Sequence, residues 1–578
     1  MWPSVLWLTL ALSTTDLTTH AERTAYAETG RYAEVESLCA AFQKAYPFKA
    51  RCERFGTTPE GRPLLSLVAS ADGTTTPELA RRRGRPVVLV QAGIHAGEID
   101  GKDAGFLLLR ELLSGATSPA LLKGVTVVFV PVLNVDGHER FGPNHRPNQR
   151  GPASMGWRVT SANLNLNRDW VKADAPETRA ALELFRRWDP VLFTDLHVTD
   201  GAKFEHDVAV VVEPRGIGTQ ALHIAANALR TTTLDRLEQL GHRPVPFYPA
   251  FDKEDDPTSG ITWGVTPPRF AHGFAAHRNR LAVLVETHSW RPYPHRVKTT
   301  RDTVLALLEQ AASFGTRWAS AELDADTEDL ARGGTQLTLS FQVRQTPRPI
   351  AFLGYAYTRA PSTLSGQPWT RYDESTPETW TLPLKQDLEP KLATRLPKAG
   401  WAVPSAFAPA VKAVLDAHGF RSETLKAPAS LYAETFRAGT VTFRPGPYEG
   451  RQVATVSGSW AREPQQLSPG ALFVPVAQAG VLLLAHVLEP ESPDSLTAWG
   501  TFNAVFEQKE YLEDYVAEEE ARKMLAADPS LQAAFDARFP PDGGTADPFA
   551  KLRFFHERHP SWDRRMNLVP VYRLDSRP

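Results

Sequence analysis

Residues 87–103 read VVLVQAGIHAGEIDGKD. Val87 to Val90 form an apolar run without alternation that gives way at once to polar and glycine positions, as a parallel strand buried on both faces does where it ends at a crevice. Gly93 and Gly97 flank a tight turn that carries His95 and Glu98, and the run FLLLRELL that follows predicts a helix. An imidazole and a carboxylate three positions apart therefore converge at the strand's C-terminal end. Such a pair is common at solvated helix starts and means little without company.

Two further apolar runs end in ionisable groups. In Pro190–Asp200, PVLFTDLHVTD, the run VLF is followed by Asp195 and His197, and in Leu281–Trp290, LAVLVETHSW, it ends on Glu286. A carboxylate placed directly after a buried run is costly unless it is paired, bound to metal or used as an acid or base. Two histidines and a glutamate make one of the sets that hold a catalytic zinc and leave its fourth position open.

The order His95-x-x-Glu98, Asn134-Val-Asp136-Gly137, Trp157-Arg158, Asn167-Arg168, His197 and Glu286 resembles the zinc metallocarboxypeptidases of the carboxypeptidase A type. The resemblance covers about residues 85–290, and GWRVTSANLNLNRDW is most similar to a bacterial, exported branch. It implies one Zn²⁺ per chain on His95, Glu98 and His197, Arg158 facing the oxyanion, and Asn167 and Arg168 on the substrate's terminal carboxylate. Glu286 is then general base and acid, and the partner is a peptide or protein with a free C-terminus. One departure stands out: the family's substrate-capping tyrosine has no counterpart between Pro249 and Val285, where Phe274 occupies a comparable segment and Tyr248 lies just outside. Two other readings fit the residues. One is a zinc amide hydrolase of the same fold acting on acylated amino acids or cell-wall peptides. The other is a non-catalytic binding protein, against which the buried carboxylate of Glu286 argues.

Alternating strands and helices from Tyr32 onward predict an α/β fold, a mixed, mostly parallel sheet covered by helices on both faces. A helix at Arg301–Trp318 closes this catalytic unit, residues 22–330. Residues 331–578 follow as a C-terminal α+β domain whose early segments have strand character and whose end is helical, with a short helix at Phe407–His418 closed by Gly419. The polar segment 137–167 reads as a binding loop, its arginines solvated except Arg158. A net charge of −2 with 42% hydrophobic and 22% charged residues gives no sign of a nucleic-acid surface or a disordered chain. No G-x-S-x-G elbow or phosphate-binding loop occurs, and His556-Glu557-Arg558-His559 lacks the spacing of a metal pair. The apolar run Val5–Leu12 followed by small residues predicts an export signal over residues 1–21, and hence a periplasmic or extracellular protein; no later stretch is long enough to span a membrane. The two cysteines, Cys39 and Cys52, are compatible with a disulfide or with two free thiols.

Overall fold

The computed structural model describes residues 17–540 and 547–578, so the apolar run of the expected export signal lies outside the described residues. Strands β1 (Ala50–Thr57), β2 (Pro63–Ala69), β3 (Val87–Ala92), β4 (Thr126–Val130), β5 (Leu192–Val198), β6 (Val208–Glu213), β7 (Pro244–Val245) and β9 (Leu281–Thr287) build one sheet, while β8 (Ile261–Thr262) lies outside it. Their order is β1-β2-β4-β3-β5-β9-β6-β7. The centre, β4-β3-β5-β9, is parallel, and antiparallel strands flank it.

Alternation along each strand sorts the core into two layers. Val88, Val90, Val127 and Phe129 face one side, where the helices Tyr32–Ala45, Asp100–Ser114, Gln220–Gln239 and Tyr293–Asp329 cover them. Val87, Leu89, Val128 and Val130 face the other, under the helices Pro176–Trp188 and Ala271–His277. The closing helix is 37 residues long and extends well beyond the expected Arg301–Trp318 at both ends.

The second half follows in β10 (Gln336–Val343), β11 (Arg348–Pro361), β12 (Pro368–Lys385), β13 (Leu388–Arg395), β14 (Gly400–Val403), β15 (Glu423–Thr424), β16 (Ala429–Phe443), β17 (Ala454–Leu467), β18 (Leu472–Pro475) and β19 (Leu568–Leu574). The C-terminal stretch is not helical to its end: β19 is buried along its whole length and pairs with both β14 and β16 in a six-stranded sheet. Nor do these residues form a body apart. Trp401, Val411, Leu415, Leu483 and Phe502 share an apolar core with Leu89, Trp170 and Phe185 of the first half, and β8 pairs with β12. Cys39 and Cys52 are joined by a disulfide. Leu17 and Ala21 are buried against the first half, where a capping box formed by Thr19 and Glu22 starts the short helix His20–Arg23. No helix among the described residues is long and apolar enough to cross a membrane.

Candidate active site

Register places the side chains. In the parallel pairs, Gln91 lies beside Asp195 and His197 beside Glu286. Asp195 and His197 are two apart and so share a face, the one the C-terminal half covers. Between β3 and the helix Asp100–Ser114, Gly93 takes a left-handed φ of 62°. At Gly97 a Cβ would come within 2.8 Å of the Gly156 carbonyl oxygen, so the turn bearing His95 and Glu98 can press against the loop that carries Arg158. That loop is held from below. Asn134 Nδ2 donates to the Arg158 carbonyl (3.1 Å), and Asp136 accepts from Thr58 (2.7 Å) and Ser161 (3.0 Å).

His95, Glu98 and His197 meet with one ligand atom each, all within 4.8 Å of one another. His95 Nδ1 lies 3.0 Å from Glu98 Oε1, and His197 Nδ1 lies 2.9 Å from Oε2. The far nitrogens are anchored: His95 Nε2 to Asn165 Oδ1 (3.1 Å), and His197 Nε2 to Asp195 Oδ2 (2.8 Å), itself steadied by Gln91 (3.0 Å). This is how metal-binding histidines are commonly oriented, with the ligating nitrogen left to face the ion. His95 Nδ1 is buried without a hydrogen-bond partner. Burial pushes the His95 imidazole down to about 4, leaving it neutral with a lone pair to give. Burial also opposes ionisation of Glu98, but His95, Arg146 and His197 around it hold its carboxyl well below the usual range. At His197 burial is outweighed by Asp195, and the ring's affinity for a proton is raised. Two imidazole nitrogens and a carboxylate fit zinc, which would take the place of that proton.

The cluster opens into a pocket of about 450 Å³ that all seven residues singled out in the sequence line: His95, Glu98, Arg158, Asn167, Arg168, His197 and Glu286. Glu286 is buried, and its Oε2 has no hydrogen-bond partner. Burial raises its pKa to about 8; His197 opposes the rise, while Glu98 and Asp200 add to it. Arg158 Nη1 lies 3.2 Å from Glu98 Oε1. Asn167 Oδ1 accepts from the Ala271 N–H (3.0 Å), leaving its amide N–H groups on the pocket side near His197 (3.4 Å). Phe274 packs in the core against Trp170 and Phe185. Tyr248 lines the pocket instead.

Sequence reasoning missed several neighbours. Arg146 is not solvated: it is buried and ion-paired to Glu98 (2.9 Å) and Asp200 (3.0 Å). The loop that carries it has no periodicity to betray that. Asp195 was legible, because a D-x-H pair on a strand must share a face, and Tyr248 was legible as the nearest tyrosine to the segment that lacks one; Asn165 and Asp200 gave no such sign.

The zinc carboxypeptidase family signature, Peptidase M14, matches residues 35–207. Carboxypeptidase 2 of Trichophyton rubrum is 23% identical over 466 residues, 76% of this chain and 78% of that protein. A 141-residue stretch is 30% identical to the probable carboxypeptidase 2 of Arthroderma benhamiae, but it spans only 24% of this chain and 23% of that protein. Carboxypeptidase D of Drosophila melanogaster is 28% identical over 144 residues, 24% of this chain and 10% of that protein. Among solved structures, carboxypeptidase A of Helicoverpa armigera aligns with a TM-score of 0.36 at 17% identity, covering 49% of this chain and 74% of that one.

Proposed function

We propose that this metallocarboxypeptidase hydrolase is zinc-dependent and removes C-terminal residues from peptides or proteins. The observation that carries the reading is the meeting of three buried ligand groups with an unpartnered buried carboxylate, Glu286, in one pocket that also holds two arginines. His95, Glu98 and His197 would hold the zinc, which when bound would supply Lewis-acid polarisation of the scissile carbonyl and an acidified water.

Glu286 takes the proton of the attacking water and returns it to the leaving amine nitrogen. Burial holds its carboxyl above the ordinary carboxylate range, and a cation bound to the neighbouring ligands would lower it again, toward the neutral pH at which an acid–base group works best. Arg158 faces the oxygen on which charge develops, where losing one donor costs about 10²–10³ in rate. Asn167 and Arg168 hold the substrate's free carboxylate, since a guanidinium matches a carboxylate at two points. Tyr248 is the pocket's tyrosine and takes the capping position. Export is part of the proposal, supported by the Cys39–Cys52 disulfide; the burial of Leu17 and Ala21 against the first half argues against the expected signal boundary at residue 21.

The test pairs Arg168→Ala with C-terminal amidation of a blocked dipeptide. Each change alone should raise KM, and together they should cost little more than either alone, because both remove one interaction. Independent, additive penalties would instead favour an amide hydrolase of this fold whose substrate lacks a free carboxylate.

A further inference from the structure

Arg168 is not positioned by its own half of the chain alone. Its Nε–H donates to the Tyr448 hydroxyl (3.1 Å), its Nη1 donates to the Asn167 carbonyl (2.7 Å), and its guanidinium lies 4.2 Å from the Phe270 ring centre. A guanidinium has five N–H donors. With two committed to these contacts, three remain for a ligand in the pocket.

Tyr448 lies 280 residues further along the chain, in the connection between β16 and β17. It is braced there. Its ring stacks on the buried Trp499 at 5.9 Å and 9°, Arg444 lies 4.6 Å from the ring centre, and reciprocal backbone hydrogen bonds of 2.9 and 3.0 Å close the turn Tyr448–Arg451. The turn is also tied to the segment around Arg168. Glu449, in a left-handed conformation (φ 50°), accepts from the Asn165 N–H (2.8 Å), and Arg451 donates to Asp174 (3.0 Å). A non-glycine residue held at positive φ is strained and persists only where its surroundings impose it. The other wall is fastened in the same way: Arg269, next to Phe270, is paired with Asp494 (3.0 Å). Both supports of the guanidinium, the Tyr448 hydroxyl and the Phe270 face, are therefore secured by the C-terminal half.

We infer that Tyr448 is a positioning residue for substrate binding, fixing Arg168 so that its free N–H groups meet the terminal carboxylate. The C-terminal half then sets the enzyme's preference for free C-termini and leaves bond cleavage to the first half. This rests on the reading of Arg168 as the carboxylate clamp.

The experiment uses the full zinc-loaded chain and the variant Tyr448→Phe, which keeps the stack on Trp499 and loses only the hydroxyl. Kinetics are measured on a blocked dipeptide with a free C-terminus and on its C-terminal amide. For the free acid KM should rise about 2- to 10-fold, the worth of one hydrogen bond, with kcat within about 2-fold; on the amide the variant should match the native enzyme. The native enzyme's own acid-to-amide preference is the control on the underlying reading: if it has none, the clamp itself is wrong. If that preference is present and Tyr448→Phe leaves it unchanged, or lowers kcat equally on both substrates, the positioning role is overturned while the clamp stands. A fall in melting temperature that accompanies equal losses on both substrates counts as the same refutation.

Discussion

Among the described residues two clusters of histidine and carboxylate come close enough to share an ion, and they differ in how their ligand atoms are held. In the first, His95, Glu98 and His197 each have one atom turned inward, and both histidines are anchored from behind. In the second, Asp207, His242 and His295 lie equally close together, but His242 is turned to groups outside the cluster, whereas the ligand atoms of the first face one another beside the pocket. His242 is bound at both nitrogens, to Asp302 (2.8 Å) and Thr299 (3.2 Å). Asp207 accepts from His295 (3.0 Å) and the Arg243 N–H (3.0 Å) and is ion-paired with Arg291 (2.9 Å). Proximity of ligand types is thus a weak criterion. Ligand atoms that face one another beside a pocket, as those of His95, Glu98 and His197 do, make a stronger one.

The largest effect expected in the first cluster's neighbourhood is at Glu286. Glu286→Gln keeps shape, fold and zinc but cannot shuttle a proton, so turnover should fall about 10²–10⁴-fold; near-native turnover in a zinc-loaded variant would move the base elsewhere. Asp195→Asn is expected to weaken zinc binding about 10- to 100-fold, as loss of an orienting partner does. Competition with a chelator of known affinity reads it, and an unchanged affinity would make Asp195 a structural group only.

The second cluster should answer to pH instead of metal. Burial opposes ionisation of Asp302, but hydrogen bonds from His242, Lys298 and Arg301 hold its carboxyl below the ordinary range. The folded carboxyl titrates below the unfolded one, so the stabilisation is fully present above about pH 4 and is lost as pH falls through the folded value. Asp302→Asn should therefore cost about 1–3 kcal/mol at pH 7, shrinking toward zero in acid, with zinc content and turnover unchanged. Denaturant titrations at pH 7 and pH 3 check this, and a deficit of equal size at both would dismiss the ionic account.

What the sequence made legible follows the same division. Val87–Val90, Leu192–Phe193 and Leu281–Val285 announced buried parallel strands, and the ionisable groups at their ends fall where the sheet delivers them. Residues whose partners come from distant, non-periodic segments were silent. Arg146 reads like any loop arginine until the Gly97 turn closes on it. Tyr448 and Glu449 occupy an ordinary hairpin connection, and nothing local says that it folds onto Asn165 and Arg168. The second half likewise reads as a domain of its own, because strand patterns reveal burial but not against what. Its Trp401, Leu415 and Leu483 complete the core of the first.

The most direct test of the account is the metal content of the purified full-length chain, measured by mass spectrometry in the native protein and in His95→Ala, His197→Ala and His242→Ala. One zinc per chain is expected in the native protein and in His242→Ala, and zinc should be lost from the other two together with hydrolysis. Full zinc in His95→Ala or His197→Ala, or its loss only in His242→Ala, would contradict the assignment of the metal to the first cluster.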